Sequence, residues 1–265
     1  MQFGLMNNPM NPVPGEIEAI ADLGFSFVDL TMEGPCGGDV DVPLVRDILA
    51  RRNLFITGHT DPSLPWAFPL KSVRRACLAE LTRCAKVFSA LGATFMNLHV
   101  CYACPPAMRS QMVDLNREAL SDIASMAADH NLILGVENFL APFDTVAAFQ
   151  TLLNVPNTCL HLDAGHANIG KSSTSDFCAA FSERIGHLHF SDNRGQTDAH
   201  MPIGAGNINW RATLAALKTA GYDRTVTLEV FCMDPDAWRA YTVQSRRLIE
   251  NMMNEGKGKR KKDKR

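Results

Sequence analysis

The chain has 265 residues, 46% hydrophobic and 20% charged, enough to bury a sizeable core and unlike the composition of a disordered chain. Its net charge of -2 is uneven: Lys257, Lys259, Arg260, Lys261, Lys262, Lys264 and Arg265 stand against Asp263 near the end, leaving the remainder at about -8. An acidic remainder argues against a broadly basic nucleic-acid surface.

No uninterrupted apolar run reaches the roughly 18 residues that span a bilayer, and no early basic segment leads into an apolar signal sequence. The eight cysteines are scattered and fit reduced thiols in a cytoplasmic protein. Cys101 and Cys104 form a lone CxxC without a second pair, so a four-cysteine zinc site has no support.

The first apolar run is Gln2 to Met6, followed by a Pro/Asn-rich loop. Ile17, Ile20, Ala21 and Leu23 show helical spacing, and Gly24 stops that helix. Strand-like segments follow at Phe25 to Leu30, Leu54 to His59 and Thr94 to His99, separated by helical patterns over Val42 to Arg52 and Lys71 to Leu91. A helix from Ala107 to His130 leads into a strand over Leu132 to Asn138. Asp144 is placed to N-cap the next helix, which ends at Leu153. Thr158 to Asp163, Ile185 to Phe190 and Thr225 to Val230 complete the strands. Helical patterns over Ser175 to Glu183, Ile208 to Ala220 and Pro235 to Met253 complete the helices.

Strands alternating with helices imply parallel βαβ units, and right-handed crossovers restrict how they assemble. Closure of eight units gives a single-domain (β/α)8 TIM barrel over residues 1–253, with a basic, disordered tail over 254–265. An open doubly wound sheet would be favoured by Gly-x-Gly-x-x-Gly after the first strand, and that motif is absent there.

Strands three to eight end, or nearly end, with His59, His99, Glu137, Asp163, His189 and Glu229. In a barrel those ends converge on one face. A histidine ending one apolar strand is usually hydrogen-bonded structure, but six consecutive units repeating the pattern point to a shared site. Carboxylates within apolar runs such as Gly-Val-Glu-Asn and Leu-Glu-Val are costly unless paired or metal-bound. A mixed His/Asp/Glu shell suits Zn²⁺, Mn²⁺ or Mg²⁺. Asp163 and His166 can point into that site from a strand end and its loop.

The segments Val136-Glu137-Asn138, Leu162-Asp163-Ala164-Gly165-His166, His187-Leu188-His189-Phe190-Ser191-Asp192 and Asp198 to Gly206 make nearly the whole chain resemble the xylose isomerase-like barrel superfamily. That superfamily includes sugar epimerases, hydroxypyruvate isomerases, inosose dehydratases and the endonuclease IV family. The resemblance to its epimerases implies that Glu137, Asp163, His189 and Glu229 ligate one divalent metal. Glu137 and Glu229 would also be the catalytic acid and base, working through a metal-stabilised enediolate of a small sugar or sugar phosphate. His166 matches a substrate-contacting position. Glu33 is a further candidate for binding a hydroxyl, or else a surface-loop carboxylate.

The resemblance to endonuclease IV implies a different outcome. Its nine trinuclear-zinc ligand positions match His59, His99, Glu137, Asp163, His166, His189, Asp198, His200 and Glu229, which would make the chain an abasic-site nuclease with up to three metals. The opening Gln2-Phe3-Gly4-Leu5-Met6 and the sequence His99-Val100-Cys101 depart from that family's pattern. A polyol dehydratase would share the epimerase site. The sequence reading therefore expects a metal-dependent sugar isomerase or epimerase. His59, His99, His166, Asp198 and His200 contact substrate or hold additional metal, and the homo-oligomeric state is left open.

Overall fold

In the computed structural model, which describes residues 1–34 and 37–258, eight parallel strands pair in chain order and close into a barrel. They are β1 Gln2–Met6, β2 Phe27–Thr31, β3 Phe55–His59, β4 Phe95–His99, β5 Ile133–Glu137, β6 Thr158–Asp163, β7 Ile185–Phe190 and β8 Thr225–Leu228. Closure comes from β1 against β8, with Gln2 opposite Thr225 and Leu5 opposite Leu228. Each strand is buried for most or all of its length because helices cover the outside and side chains fill the inside.

The covering helices are α1 Val13–Asp22, α2 Val42–Arg52, α3 Lys71–Ala90, α4 Met112–Asp129, α5 Val146–Leu152, α6 Ala164–Ile169, α7 Thr174–Phe181, α8 Trp210–Thr219 and α9 Pro235–Gly258. Their starts follow from local chemistry. Asp41 accepts the Leu44 N–H at the head of α2, and Ser173 forms a reciprocal capping box with Asp176 at the head of α7. Apolar faces of these helices meet the outer strand faces. Phe88, Phe149 and Phe177 are fully buried there, each contributing roughly 1.5–3 kcal/mol by leaving water.

Two interior glycines make room for aromatic rings. A Cβ at Gly58 would overlap the Phe88 ring, and one at Gly135 would overlap the Phe95 ring. Neither position tolerates a side chain without moving its neighbour.

The expected alternation is present in full, with four local differences. The first is that the helix expected from Ala107 opens as a 3-10 helix over Pro106–Gln111 and becomes α4 only at Met112. Asp144 does not cap α5: Thr145 does, its hydroxyl accepting the Ala148 N–H. Asp144 instead accepts the Lys171 N–H, tying the β5–α5 loop to the segment before α7. Short α6, which follows β6 directly, had no apolar periodicity to announce it. Finally, α9 continues through Gly258, beyond the expected boundary at 253. The remainder of the expected basic tail, 259–265, lies outside the described residues. Among the described residues no helix is long and apolar enough to cross a membrane.

Candidate metal centre at the strand ends

The parallel topology places every strand's C-terminal end on one face of the barrel. His59, His99, Glu137 and Asp163 are the last residues of β3 to β6, His189 is the penultimate residue of β7, and Glu229 follows β8 directly. Strand register makes neighbours of His99 and Glu137, and of Asp163 and His189.

Across the mouth, Glu137, Asp163, His189 and Glu229 each offer a ligand atom, and those atoms all lie within 4.8 Å of one another. His189 Nδ1 is 3.2 Å from Glu229 Oε2 and 3.5 Å from Glu137 Oε1. All four residues are buried.

The other five sequence candidates border this cluster. His99 Nε2 lies 3.2 Å from Glu137 Oε2 and 3.2 Å from His59 Nε2. His166 Nδ1 donates to the Asn138 carbonyl at 2.9 Å, and its Nε2 reaches Asp198 Oδ2 at 3.1 Å. His200 mirrors it, with Nδ1 donating to the Glu229 carbonyl at 3.0 Å and Nε2 lying 3.0 Å from the same Asp198 oxygen. His200 holds a left-handed backbone, φ 43°, a conformation that costs energy in a residue with a Cβ and recurs at functional sites. Glu33 lies near the mouth, and burial raises its pKa against the pull of His59.

Local structure explains why these groups stand where they do. Asp163 is the N-cap of α6: its Oδ1 accepts the His166 backbone N–H at 2.6 Å, so one carboxylate fixes the start of the helix that carries His166. The loop bearing Asp198 and His200 is tied down by buried Asp192. That carboxylate accepts the N–H groups of Gly204 and Ile208 and the Trp210 indole N–H. An isolated antiparallel bridge between Asp192 and Met201 completes the clamp.

The electrostatics are those of too much negative charge in too little water. Burial raises Asp163 to about 7. Burial opposes charge on His166 and His200 too, but the surrounding carboxylates outweigh it and push them to about 10 and about 9. Glu137 is resisted by burial yet held well below the usual carboxylate range by His99, His161 and His189. Burial drops His99 to about 4.

Three buried atoms in the four-residue cluster have no hydrogen-bond partner: Glu137 Oε1, Asp163 Oδ2 and His189 Nδ1. Orphaned acceptors in a dry site are expensive. Three carboxylates and one imidazole, three of the four with a buried atom left unpartnered, fit a divalent cation of the Mn²⁺, Mg²⁺ or Zn²⁺ kind. The residues present therefore suit such an ion.

A second tier of polar groups lies one strand period deeper, and sequence reasoning did not single it out. Asp29, Thr57, Asn97, His161, His187 and Thr227 stand two residues before Thr31, His59, His99, Asp163, His189 and Glu229 respectively, so each shares the interior face with its partner. Asn97 Nδ2 donates both to Glu137 Oε2 and to His161 Nδ1. The signal was the period-two repetition of polar residues inside otherwise apolar strands.

Comparison with known proteins follows the geometry. The family described as "Xylose isomerase-like TIM barrel" matches residues 17–252. An uncharacterized protein of Methanocaldococcus jannaschii is 33% identical over 135 residues, covering 45% of this chain and 44% of that one. The L-ribulose 3-epimerase of Methylomonas sp. is 27% identical over 232 residues, covering 81% of this chain and 77% of that enzyme. Among solved structures, a D-tagatose 3-epimerase-like protein superposes with a TM-score of 0.86 at 23% identity, over 97% of this chain and 99% of its own, a likeness of fold.

Proposed function

The chain belongs to the xylose isomerase-like TIM barrel family, and from that premise we propose that it is a divalent-metal-dependent epimerase of a ketose or a related small polyhydroxy carbonyl compound. One observation carries the reading: Glu137, Asp163, His189 and Glu229 converge with three buried acceptor atoms unpartnered. The Methylomonas relative, an L-ribulose 3-epimerase that aligns with most of the chain, supports a sugar as substrate.

Glu137, Asp163, His189 and Glu229 would hold the ion. When bound, a divalent cation supplies Lewis-acid polarisation of the substrate carbonyl and so acidifies the neighbouring C–H. The carboxylate of one glutamate, Glu137 or Glu229, takes that proton. The other glutamate, entering the cycle protonated, gives its own proton to the opposite face of the carbon and is left as the carboxylate, which inverts the centre. His166 and His200, both held cationic by Asp198 and the neighbouring carboxylates, have both ring nitrogens engaged and act by placing fixed positive charge beside the site. Phe139 packs edge-on against His166 and His99, and Phe231 stacks on His200 with ring centroids 4.3 Å apart. These rings offer apolar faces to the C–H side of a sugar and limit water at the reacting carbon.

A nuclease reading draws on a second possible ion cage, His59, His99 and Glu137. The epimerase relative that covers most of the chain favours the first reading. The test is to count metal per chain and to incubate Mn²⁺-loaded protein with L-ribulose, D-tagatose, D-allulose and D-fructose, with abasic duplex DNA in parallel. One ion per chain, C3 epimers and intact DNA are expected. Nicked DNA with two or three tightly held ions, and no epimer, would overturn the proposal.

A further inference from the structure

We infer that Asp29, buried beneath the strand-end cluster on the far side of the barrel axis, is the positioning residue that decides which ring nitrogen of His189 is offered to the metal. The inference rests on the metal-centred reading above.

His189 has two ring nitrogens facing in different directions. Nε2 lies 2.8 Å from Asp29 Oδ2, whereas Nδ1 faces Glu229 and Glu137. An ionised carboxylate only accepts hydrogen bonds, so the proton of that contact resides on Nε2. Nδ1 is then the nitrogen that can give its lone pair to an ion seated among those carboxylates. A histidine ligand turned to the opposite tautomer would direct an N–H at the ion and lose the bond.

Asp29 is well equipped to enforce this choice. It is 1% exposed, and the Thr57 hydroxyl donates to its Oδ1 at 2.8 Å while the Thr227 hydroxyl donates to Oδ2 at 3.0 Å. Those three donors fix the carboxylate in place.

The orientation of the whole chain of bonds follows. Because Thr227 donates its proton to Asp29, it must accept from His187 Nε2, 2.9 Å away. His187 Nδ1 is then the acceptor for the Thr225 hydroxyl at 2.7 Å. One self-consistent assignment of protons runs from Thr225 at the base of the barrel to His189 at its mouth. The anchor is remote in sequence: Asp29 sits on β2 and reaches His189 on β7 across the interior. An anchor of this kind also raises the basicity of the ligating nitrogen.

The experiment combines calorimetric titration of metal-stripped protein with Mn²⁺ and ¹⁵N spectroscopy of histidine-labelled protein loaded with Zn²⁺. In wild type, the His189 Nδ1 resonance is expected to carry the metal shift while Nε2 stays protonated. Asp29→Asn, which keeps the shape and removes the charge, is expected to bind Mn²⁺ about 10- to 100-fold more weakly with its metal-free melting transition retained. A wild-type spectrum with Nε2 on the metal, or equal Mn²⁺ affinity in a folded Asp29→Asn, overturns the inference and leaves the metal-centred reading standing. Should Asp29→Asn fail to fold, the wild-type spectrum alone decides. Wild type that takes up neither ion overturns the metal-centred reading, and the inference with it.

Discussion

Asp163 and His166 are joined through a single oxygen: Asp163 Oδ1 accepts the His166 backbone N–H at 2.6 Å, while Oδ2 remains buried without a partner. One side chain thus caps a helix and contributes to the proposed ion site, and substitutions can separate the two roles. Asp163→Asn keeps a capping oxygen but loses the charge, so metal affinity is expected to fall by at least tenfold with α6 intact. Asp163→Ala loses the cap as well, at a further cost of about 0.5–2 kcal/mol. Calorimetry with Mn²⁺ and denaturant melts of both variants check this; equal metal affinity in Asp163→Asn and wild type would remove Asp163 from the ligand set.

Glu137→Gln and Glu229→Gln each keep the size of the side chain while removing a proton acceptor. Each is expected to lower turnover by about 10²–10⁴-fold. Circular dichroism is expected to show the barrel retained in each variant. Full activity in either variant would exclude that glutamate from proton transfer.

The metal-free protein is expected to lose stability as pH rises from about 6.5 to about 10. His166 and His200 are raised from 6.5 to about 10 and about 9, and Asp163 is raised from 3.8 to about 7. A group with a raised folded-state pKa contributes stability below its unfolded value and loses it as pH climbs through the folded one. His166 and His200 act over this window, and Asp163 acts in the same direction but adds only at its lower end, its own loss running from about 3.8 to about 7. Saturating Mn²⁺ should flatten the trend, since the ion replaces protons among the carboxylates and stabilises by mass action. Thermal melts across pH, with and without EDTA, measure both arms; metal-free stability that rises over the same window would contradict the charge assignment.

Gly135→Ala inserts a methyl group where the Phe95 ring already sits. Such overpacking is expected to cost about 1–3 kcal/mol, read as a lower denaturation midpoint. An unchanged midpoint would mean that the ring moves aside freely.

The sequence exposed the barrel because each βα unit carried its own punctuation, such as Gly24, Gly92 and Gly221 closing helices before the next strand. The site was legible because consecutive units end in His59, His99, Glu137 and Asp163, a repetition that barrel closure turns into proximity. What stayed hidden depends on geometry across the axis. Asp29 appears as one acid in a short apolar strand, and only the closed barrel shows it meeting Thr57, His189 and Thr227. The Asp144 cap was misplaced because Thr145 stands next to it and competes for the same role. Short α6 was missed because Asp163 initiates it with a single capping bond rather than with an apolar stripe.

The central claim is proton transfer at a metal-dependent carbon centre, and solvent deuterium measures it directly. Mn²⁺-loaded protein incubated with its ketose in D₂O should place deuterium on the carbon beside the carbonyl as the epimer forms, with exchange abolished by EDTA. Epimer formed with that carbon fully protonated, or exchange that persists after the metal is stripped, would contradict the account.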